Sequence, residues 1–565
     1  MKRIIIIGIL LLANLAWANS DRDILTNQAR RLQAGRQYER VITLYREWLQ
    51  EHPQDWDIAG KLIESYLQAD KTEQAQQLLR DYLQRFPNEA KVKYQVLINL
   101  KKAEYDLALQ QASKFLESVD ESAKFLEISR VFQANRQYDA VAQILLQARQ
   151  AANNPQLFAR ELATNYFYQK KYEASIREYF VMLEEEERYH YFAASRIRNM
   201  LQEDAELIKE VKQAAAGSSS EKAPEILADA YAEVGEYELA LQEYEYLPIN
   251  SLLRYAKKLV AAENFEVGKT AYLKYIERNN NQVQQADARI ELAKIEIKLN
   301  NLAAAQKYLS QVYNDEKISS GRYARRSKAN SAARELLSEL ALRQEQDVSQ
   351  AIKYLEEAAQ FAANSRVKQE INLQRIELIL MSGDFEQTQA ELQKIFQASA
   401  QITSGNQQAV RLDFLVNLMQ ASAAADSLLG EVMIQLPGDA QTNDALQLYS
   451  LSQAMNETEQ QLFFAAYRNR SIYNVMQAVQ NLEELFAING NEALLILAGE
   501  WHEQIGNISD AKRYFQQEYT SEDLQQYALL RWSEISADQN KIANFLQKNS
   551  SSIFAAKFRN LYNKE

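Results

Sequence analysis

Histidines close to carboxylates are the first places in this chain where metal-assisted chemistry could occur. His502 and Glu503 stand in the segment EWHEQIG, which has the first half of the HExxH pattern of zinc proteases. That pattern places two histidines four residues apart on one helical face, and the second position here is Gly506. His52 and His190 have no second histidine nearby in the sequence. We therefore predict no metal site, and a structural role in a helix for His502.

A second candidate for catalysis is the tetrapeptide NLMQ that begins at Asn417. It resembles the Gly-Leu-Met-Gln of lytic transglycosylases, exported enzymes with large helical domains, in which it follows a catalytic Glu-Ser. Here Asn417 stands in the glycine position, and neither Glu-Ser nor Gly-Ala occurs between Ser404 and Val416. Glycoside cleavage needs at least one carboxylic acid of elevated pKa in a defined cleft. We expect Leu418 and Met419 to be core residues instead.

The one notable basic cluster lies in the segment GRYARRSK. Its spacing of i, i+3 and i+4 could place three guanidinium groups on one side of a helix, where they could meet an acidic partner or a phosphate-bearing glycan. The alternative is a solvated insertion loop, the commoner fate of charge runs. The residues concerned are Arg322, Arg325, Arg326 and Lys328.

Four consecutive carboxylates, Glu184 to Glu187, could suggest a cation site. Successive helical residues point 100° apart, so these side chains cannot converge on one ion, and we predict a solvated helix end. The sequence also contains no glycine-rich phosphate loop and no nucleophile elbow. We therefore predict no catalytic residue, no cofactor and no enzymatic activity.

The amino-acid composition limits which fold classes and which kinds of partner are compatible with this chain. The 565 residues exceed what one core usually organises, which favours several domains or a repeat array. Apolar residues make up 47%, whereas only 14 Gly and 6 Pro occur, so helices are favoured over turn-rich β-structures. The absence of cysteine removes disulfides and thiolate chemistry. A formal net charge of −12 disfavours nucleic acid as a partner.

The N-terminus has the pattern of a cleavable secretory signal. Lys2 and Arg3 precede an apolar run from Ile4 to Leu15, and Ala16-Trp17-Ala18 supplies the small residues that a signal peptidase reads. The apolar run is shorter than the roughly 20 residues that a helix needs to span a bilayer. We predict cleavage after Ala18 and a periplasmic or secreted chain, with an uncleaved anchor as the alternative.

A regular period organises the elements that would carry any function. LQAGRQYERV, from Leu32, is echoed by FQANRQYDAV, from Phe132. Between them the same pattern recurs: an aromatic or similar residue, a small residue three positions later and a large apolar residue four beyond that. Offsets of three and four share one helical stripe, so each unit predicts a helical hairpin of about 34 residues. The first members of the pattern are Tyr38, Thr72, Tyr105, Tyr138 and Tyr172, at steps of 34, 33, 33 and 34 residues.

This pattern resembles the tetratricopeptide repeat. Clear copies cover about residues 22 to 183, and another contains Tyr231, Gly235, Tyr237 and Ala240. Weaker copies follow, and the last contains Gly499 and Ala511. The resemblance implies an all-α fold, a right-handed α-solenoid of stacked helical hairpins in two or three segments. Residues 184–222 and 396–470 match poorly, so we expect divergent repeats or non-repeat helices there.

Breaks in composition divide the predicted solenoid. The best one is the run AAAGSSS at 214–220, which we interpret as a flexible polar turn. The predicted organisation is a signal peptide over 1–18, an N-terminal array over 19–216, a central array over 221–398 with an inserted loop at 314–330, and a divergent helical region over 408–565.

The family resemblance also implies which side chains meet a partner. In that family the first helix of each hairpin lines a groove, which suits an extended peptide or a partner helix. A Lys/Asn carboxylate clamp is not matched, because Thr26 and Arg30 occupy the corresponding positions. The predicted groove residues are Arg30, Gln33, Glu64, Leu67, Lys93, Leu97, Arg160, Thr164 and Phe167.

These features predict a non-enzymatic exported scaffold that binds other proteins. The expected setting is a bacterial cell-envelope assembly, a secretion system or a polysaccharide-export system. Two alternatives stay open: a peptidoglycan-active enzyme of the lytic-transglycosylase type, with its active site in 396–470, and a solenoid that binds glycans.

Overall fold

A computed structural model of the protein describes residues 21–320, 328–398, 404–436 and 440–563. Within these ranges all regular secondary structure is helical, with 33 α-helices and two short 3₁₀ helices, Glu187–Tyr189 and Ala205–Leu207. The chain forms two compact units, one ending at Leu252 and the other beginning at Leu253. The predicted all-α solenoid of stacked hairpins is confirmed. The predicted signal peptide lies outside the described residues.

In the first unit, helices follow one another in pairs. A first helix packs against the second helix of its own hairpin and against the first helix of the next, as α3 does with α4 and α5. The helices are α1 (21–34), α2 (Tyr38–Glu51), α3 (Trp56–Gln68), α4 (Thr72–Asp81), α5 (Asn88–Lys101), α6 (Tyr105–Leu116), α7 (Ser122–Ala134), α8 (Tyr138–Ala152), α9 (Ala159–Tyr168), α10 (Tyr172–Glu185), α11 (His190–Glu203), α12 (Ile208–Gly217), α13 (Ala223–Glu233) and α14 (Tyr237–Tyr244).

The second unit continues the same arrangement, with α15 containing the boundary between the units. Its helices are α15 (Ile249–Ala261), α16 (Phe265–Arg278), α17 (Gln282–Lys298), α18 (Leu302–Tyr313), α19 (Glu316–Ser319), α20 (Lys328–Gln344), α21 (Val348–Gln360), α22 (Ser365–Ser382), α23 (Phe385–Ala398), α24 (Ser404–Met419), α25 (Ala425–Gln435), α26 (Ala440–Ser452), α27 (Glu457–Ser471), α28 (Val475–Asn489), α29 (Ala493–Gln504), α30 (Ile508–Phe515), α31 (Glu522–Ser536), α32 (Gln539–Lys548) and α33 (Ala555–Tyr562).

The small residue of the repeat pattern lies where the two helices of a hairpin meet. A small side chain lets the backbones approach, and its burial excludes water from the contact. The pattern therefore marks the core of each hairpin, as predicted. Eight of these side chains have an exposed fraction of 0%: Ala75, Ala108, Ser175, Ala240, Ala305, Ala351, Thr388 and Ala511.

The turn inside each hairpin has a fixed backbone conformation. In the first five hairpins, the residue two positions before the second helix adopts a left-handed conformation, with φ values of 55° to 60°. A residue in this conformation reverses the chain and lets its neighbours bond the last carbonyls of the first helix, as Gln37 N does with Leu32 O at 2.9 Å. The five residues recur at the spacing of the sequence period: Arg36, Asp70, Ala103, Arg136 and Lys170.

The expected break at 214–220 is an ordered helix end. Ala214 to Gly217 belong to α12, since alanine favours helices. The serines that follow are fixed by the acidic run: Ser219 N donates to Glu184 Oε1 at 3.2 Å, and Ser220 Oγ donates to Glu187 Oε1 at 3.0 Å. The prediction that these carboxylates form only a solvated helix end was therefore incomplete. The predicted segment boundaries at 216–221 and 398–408 stay predictions.

The two poorly matching regions contain helices that depart from simple pairing. In 184–222, α11 and α12 are joined by the 3₁₀ helix Ala205–Leu207, and α12 packs against both α10 and α13. In 396–470, α24 and α25 form a hairpin, whereas α26 packs against both members of it before the hairpin of α27 and α28 begins. The sequence period drifts in these two places because a 3₁₀ connection and an additional helix occupy them.

Successive first helices approach closely at Gly60. This glycine lies in α3 against Tyr94 of α5, whose side chain is only 5% exposed. A Cβ atom at position 60 would overlap Oη and Cζ of that phenol and lie 2.8 Å from its Cε2. No such crowding occurs at Gly217, where a Cβ atom would meet nothing within 4 Å.

We expect Gly60→Ala to destabilise the first unit. Over-packing a closely packed contact typically costs about 1–3 kcal/mol, because the buried phenol must leave its position. Urea-induced unfolding followed by circular dichroism would show a lower midpoint, whereas the control Gly217→Ala should keep or raise it. Equal midpoints for Gly60→Ala and the parent protein would show that the two helices are less tightly packed than described.

The left-handed turns generate a second prediction. Ala103 has φ of 60° and Gly235 has φ of 83°, a region in which a side chain costs about 1–2 kcal/mol. Ala103→Gly should therefore raise the free energy of unfolding by up to about 1 kcal/mol after the greater freedom of the unfolded chain is subtracted, and Gly235→Ala should lower it by about 1–2 kcal/mol. Thermal unfolding measures both, and shifts of the same sign would contradict the assignment of the turns.

Candidate partner-binding surface

The first helices of the first unit present a shared surface, here called the first-helix surface and formed by α1, α3, α5, α7, α9 and α11. Most predicted groove residues lie on it with exposed or half-buried side chains. Leu67 differs: it is only 8% exposed and belongs to the core around Leu62 and Ile63. It shares a helical stripe with Ile63, four residues earlier, so it supports the surface instead of lining it.

Two of the predicted residues pair with each other. Lys93 Nζ lies 3.0 Å from Glu64 Oε1, which links α5 to α3 across the surface. Their side chains are 31% and 38% exposed, so the pair contributes only about 0–1 kcal/mol. Because each charge already has a partner, this part of the surface offers little free charge to a ligand.

A concave part of the first-helix surface lies further along, between α7, α8, α9 and α11. A cavity of about 310 Å³ opens there, and the predicted residues Arg160 and Thr164 both line it. Its lining combines four apolar side chains, Leu126, Val141, Leu145 and Phe192, with the polar side chains of Ser129, Arg130, Gln133 and Glu161. Apolar surface beside groups that can hydrogen-bond is what a binding pocket requires.

Hydrogen bonds hold the predicted residues of this cavity in place. Arg160 Nη1 donates to Tyr189 Oη at 3.1 Å, and its Nη2 donates to Glu161 Oε1 at 3.0 Å. The side-chain hydrogen bond to Glu161 is the largest effect on the pKa of Arg160, which is raised above its ordinary value. Thr164 Oγ1 donates to the carbonyl of Arg160 at 2.8 Å. The guanidinium is therefore fixed in the lining of the cavity.

Aromatic rings hold a second arginine beside the same cavity. The Cζ atom of Arg196 lies 5.0 Å from the ring centre of Phe167, a predicted groove residue, and 5.4 Å from that of Phe192, which lines the cavity. Guanidinium groups stack favourably on aromatic faces and keep their N–H groups available. Within the part of the chain that the structure describes, neither Arg196 nor Arg130 pairs with a carboxylate.

Sequence reasoning missed Arg130, Gln133, Phe192 and Arg196, although the period contained a signal for two of them. Arg130 lies 34 residues before Thr164, and Gln133 lies 34 residues before Phe167. Adding the equivalent positions of the fourth repeat to the predicted groove residues would therefore have found both. The period drifts after residue 183, so it gives no equivalent signal for the residues of α11.

The other predicted basic site cannot be placed in the same way. Arg322, Arg325 and Arg326 lie outside the described residues, and Lys328 is exposed at the start of α20. The remaining predicted groove residues, Arg30, Gln33 and Leu97, are exposed or half-buried on α1 and α5.

His502 and the NLMQ segment, which resemble parts of catalytic motifs, contain side chains that are packed inside the protein. His502 is 2% exposed, and its ring stacks on Tyr514 with 5.6 Å between centroids; burial lowers its pKa. Leu418 and Met419 are buried in the core of the second unit. Across the described ranges, no group of three or more His, Cys, Asp or Glu side chains is placed to hold a metal ion.

Comparison with known proteins supports the tetratricopeptide repeat. A family model described as "Tetratricopeptide repeat" matches residues 32–94, which include α2, α3 and α4. No curated protein matches the chain significantly. Among the described residues, no helix has both the length and the apolar composition needed to cross a membrane.

Two solved structures give low-similarity matches along almost the whole chain. "Structure of Naa15/Naa10 bound to HypK-THB" is 13% identical with a TM-score of 0.27, covering 95% of this chain and 99% of that one. "Crystal structure of APC/C hetero-tetramer Cut9-Hcn1" is 12% identical with a TM-score of 0.24, covering 93% and 96%. Matches at these TM-scores carry no inference about function.

Proposed function

We propose that this chain is a non-enzymatic exported scaffold that binds a protein partner on its first-helix surface. The observation that carries the proposal is the cavity beside α9, where Arg130 and Arg160 share the lining with apolar side chains and Arg196 stacks on Phe192. Stacked helical hairpins generally act as extended surfaces for other proteins. The chemistry of the cavity fits a partner segment, extended or helical, that has an apolar side chain flanked by carboxylates.

The net negative charge of the whole chain favours binding of an acidic partner at this cavity over binding elsewhere on the protein. The protein has 76 acidic against 64 basic residues, so an acidic partner is repelled by most of it. Guanidinium groups that lack carboxylate partners at one place on such a surface offer a local site for an anion. The proposed setting is a bacterial cell-envelope assembly, a secretion system or a polysaccharide-export system, and the N-terminal sequence supports export.

Site-specific photo-crosslinking in living cells of the source organism tests the binding surface. A photoreactive phenylalanine analogue at Gln133, an exposed residue of the cavity lining, should form an adduct with a defined protein. The same analogue at Gln143, an exposed residue on the second helix α8, is the matched control and should not form it. Mass spectrometry identifies the adduct.

Charge-reversal variants then test whether carboxylates of the partner contact the arginines. Arg130→Glu and Arg196→Glu should each weaken affinity for the captured partner by about tenfold or more, because a contact with a carboxylate becomes a repulsion. Recovery of no protein from position 133, or the same adducts from positions 133 and 143, would overturn the proposal. Unchanged affinity in both variants would show that the partner is not held by its carboxylates.

Export has its own test. The mature protein should appear in the periplasmic fraction or the medium with Asn19 as its first residue, as measured by intact mass and N-terminal sequencing. Ala18→Asp should leave a longer, uncleaved chain, because the peptidase needs a small residue there. A full-length chain that remains in the cytoplasm would contradict export and leave the binding surface unaffected.

A further inference from the structure

The second unit contains a larger cavity, of about 510 Å³, between α26, α27, α29 and α31. Its size lies within the roughly 300–1,000 Å³ of small-molecule pockets. Helix α29 lines it with one continuous stripe, at the i, i+3, i+4 and i+7 spacing of a single helical face: Leu497, Glu500, Trp501 and Gln504. Tyr467 and Arg470 extend the lining on α27, and Tyr527 and Arg531 extend it on α31.

Hydrogen bonds between neighbouring helices orient the polar groups of this cavity. Tyr527 Oη donates to Glu500 Oε1 at 2.7 Å, and Arg531 Nη2 donates to Glu503 Oε2 at 2.6 Å. Arg470 donates from Nε and Nη2 to Gln504 Oε1, at 3.1 and 2.6 Å. Each bond joins adjacent first helices, so these side chains are held in position before any ligand arrives.

Hydrogen-bonding capacity remains unused after these contacts. Among the described residues, the other carboxylate oxygen of Glu500 has no hydrogen-bond partner, and neither do the side chains of Asp444, Gln447 and Tyr467. Burial raises the pKa of Glu500, while Tyr527 and Arg531 lower it. Donors and acceptors therefore face the same space from different helices.

The formal charges in the lining are mixed. An anion would meet repulsion from Asp444, Glu500 and Glu503 as well as attraction from the two arginines, Arg470 and Arg531, and a cation would meet the reverse. A hydroxyl group suits such a lining, because it can donate to a carboxylate and accept from a guanidinium. The half-buried rings of Tyr467 and Tyr527 offer apolar contact to the C–H faces of a sugar ring.

We propose that this cavity binds a short neutral saccharide. The ligand hydroxyls bond Glu500, Arg470 and Tyr467, and a ring packs against the aromatic residues of the lining. The site lies within the second unit, whereas the partner-binding surface lies in the first, so each can be tested without the other.

Titration of the purified mature protein with defined trisaccharides tests the site. The neutral probes are maltotriose, cellotriose and triacetylchitotriose, and the charged probes are trigalacturonate and the deacetylated chitotriose. Saturation-transfer NMR and calorimetry should show saturable binding of at least one neutral probe and weaker binding of both charged ones. No saturation by any neutral probe at about 10 mM, or tighter binding of a charged probe, would overturn the proposal.

Substitutions that keep the side-chain volume test whether the ligand binds in this cavity. Glu500→Met and Arg470→Met keep similar volumes and should each weaken binding of the neutral probe by about tenfold, the loss expected when a hydrogen bond to a charged group is removed. Glu335→Met is the control, because Glu335 is a half-buried carboxylate that lines a different cavity of the same unit, between α20 and α22.

Circular dichroism of each variant separates loss of the site from loss of the fold. An equal loss of binding in folded Glu335→Met and Glu500→Met would contradict the assigned position. Photo-crosslinking from Gln133 should be unchanged in Glu500→Met, so failure of the saccharide site is distinguishable from failure of the partner-binding surface.

Discussion

The architecture depends on one close contact between the two helices of each hairpin. The side chain at that contact is small and fully buried in eight hairpins, from Ala75 to Ala511. A larger residue would separate the helices and leave a gap that a hairpin of about 34 residues has no spare apolar surface to fill. Polar atoms are accepted there when they find a partner, as Ser175 Oγ does by donating to the carbonyl of Ala163 at 2.8 Å.

A second constraint fixes how the two helices reach that contact. The left-handed residue of the turn is a charged residue or alanine in the first five hairpins, although glycine adopts this conformation most easily. The hairpins recur with the same geometry. In each of them, the conformational cost of the left-handed residue is offset by the burial of side chains between the two helices that the turn joins. The period seen in the sequence thus reflects both a packed position and a turn.

The sequence predicted the regular part of the fold well and the sites less well. The spacing of Tyr38, Ala75 and Ala108 was sufficient for the hairpins, because burial of a stripe leaves a pattern in the sequence. It could not predict that the serines after Gly217 are fixed by Glu184 and Glu187, since a hydrogen bond across about 35 residues leaves no local pattern.

The same limit applies to the candidate sites, because contacts between distant residues leave no local pattern in the sequence. Arg160 and Thr164 were predicted from their place in the repeat, and the structure puts them in one cavity. The orientation of Arg196 depends instead on two rings, Phe167 from α9 and Phe192 from α11. A contact of this kind depends on how successive hairpins are offset, and residues 184–222 are where the period gives no offset to extrapolate.

Departures from the period also explain where the cavities occur. In a regular stack, each first helix fills the space beside the previous one, and little room remains on their common face. The cavity beside Arg160 is completed by α11, from the first irregular region, and the cavity beside Glu500 by α26, the additional helix of the second. A third cavity is lined by α20 and α22 together with Ser471 and Tyr473, which come from the end of α27 and the turn after it. Regular repeats build the stack, and its irregular members leave the concave sites in which a ligand or a partner side chain can be enclosed.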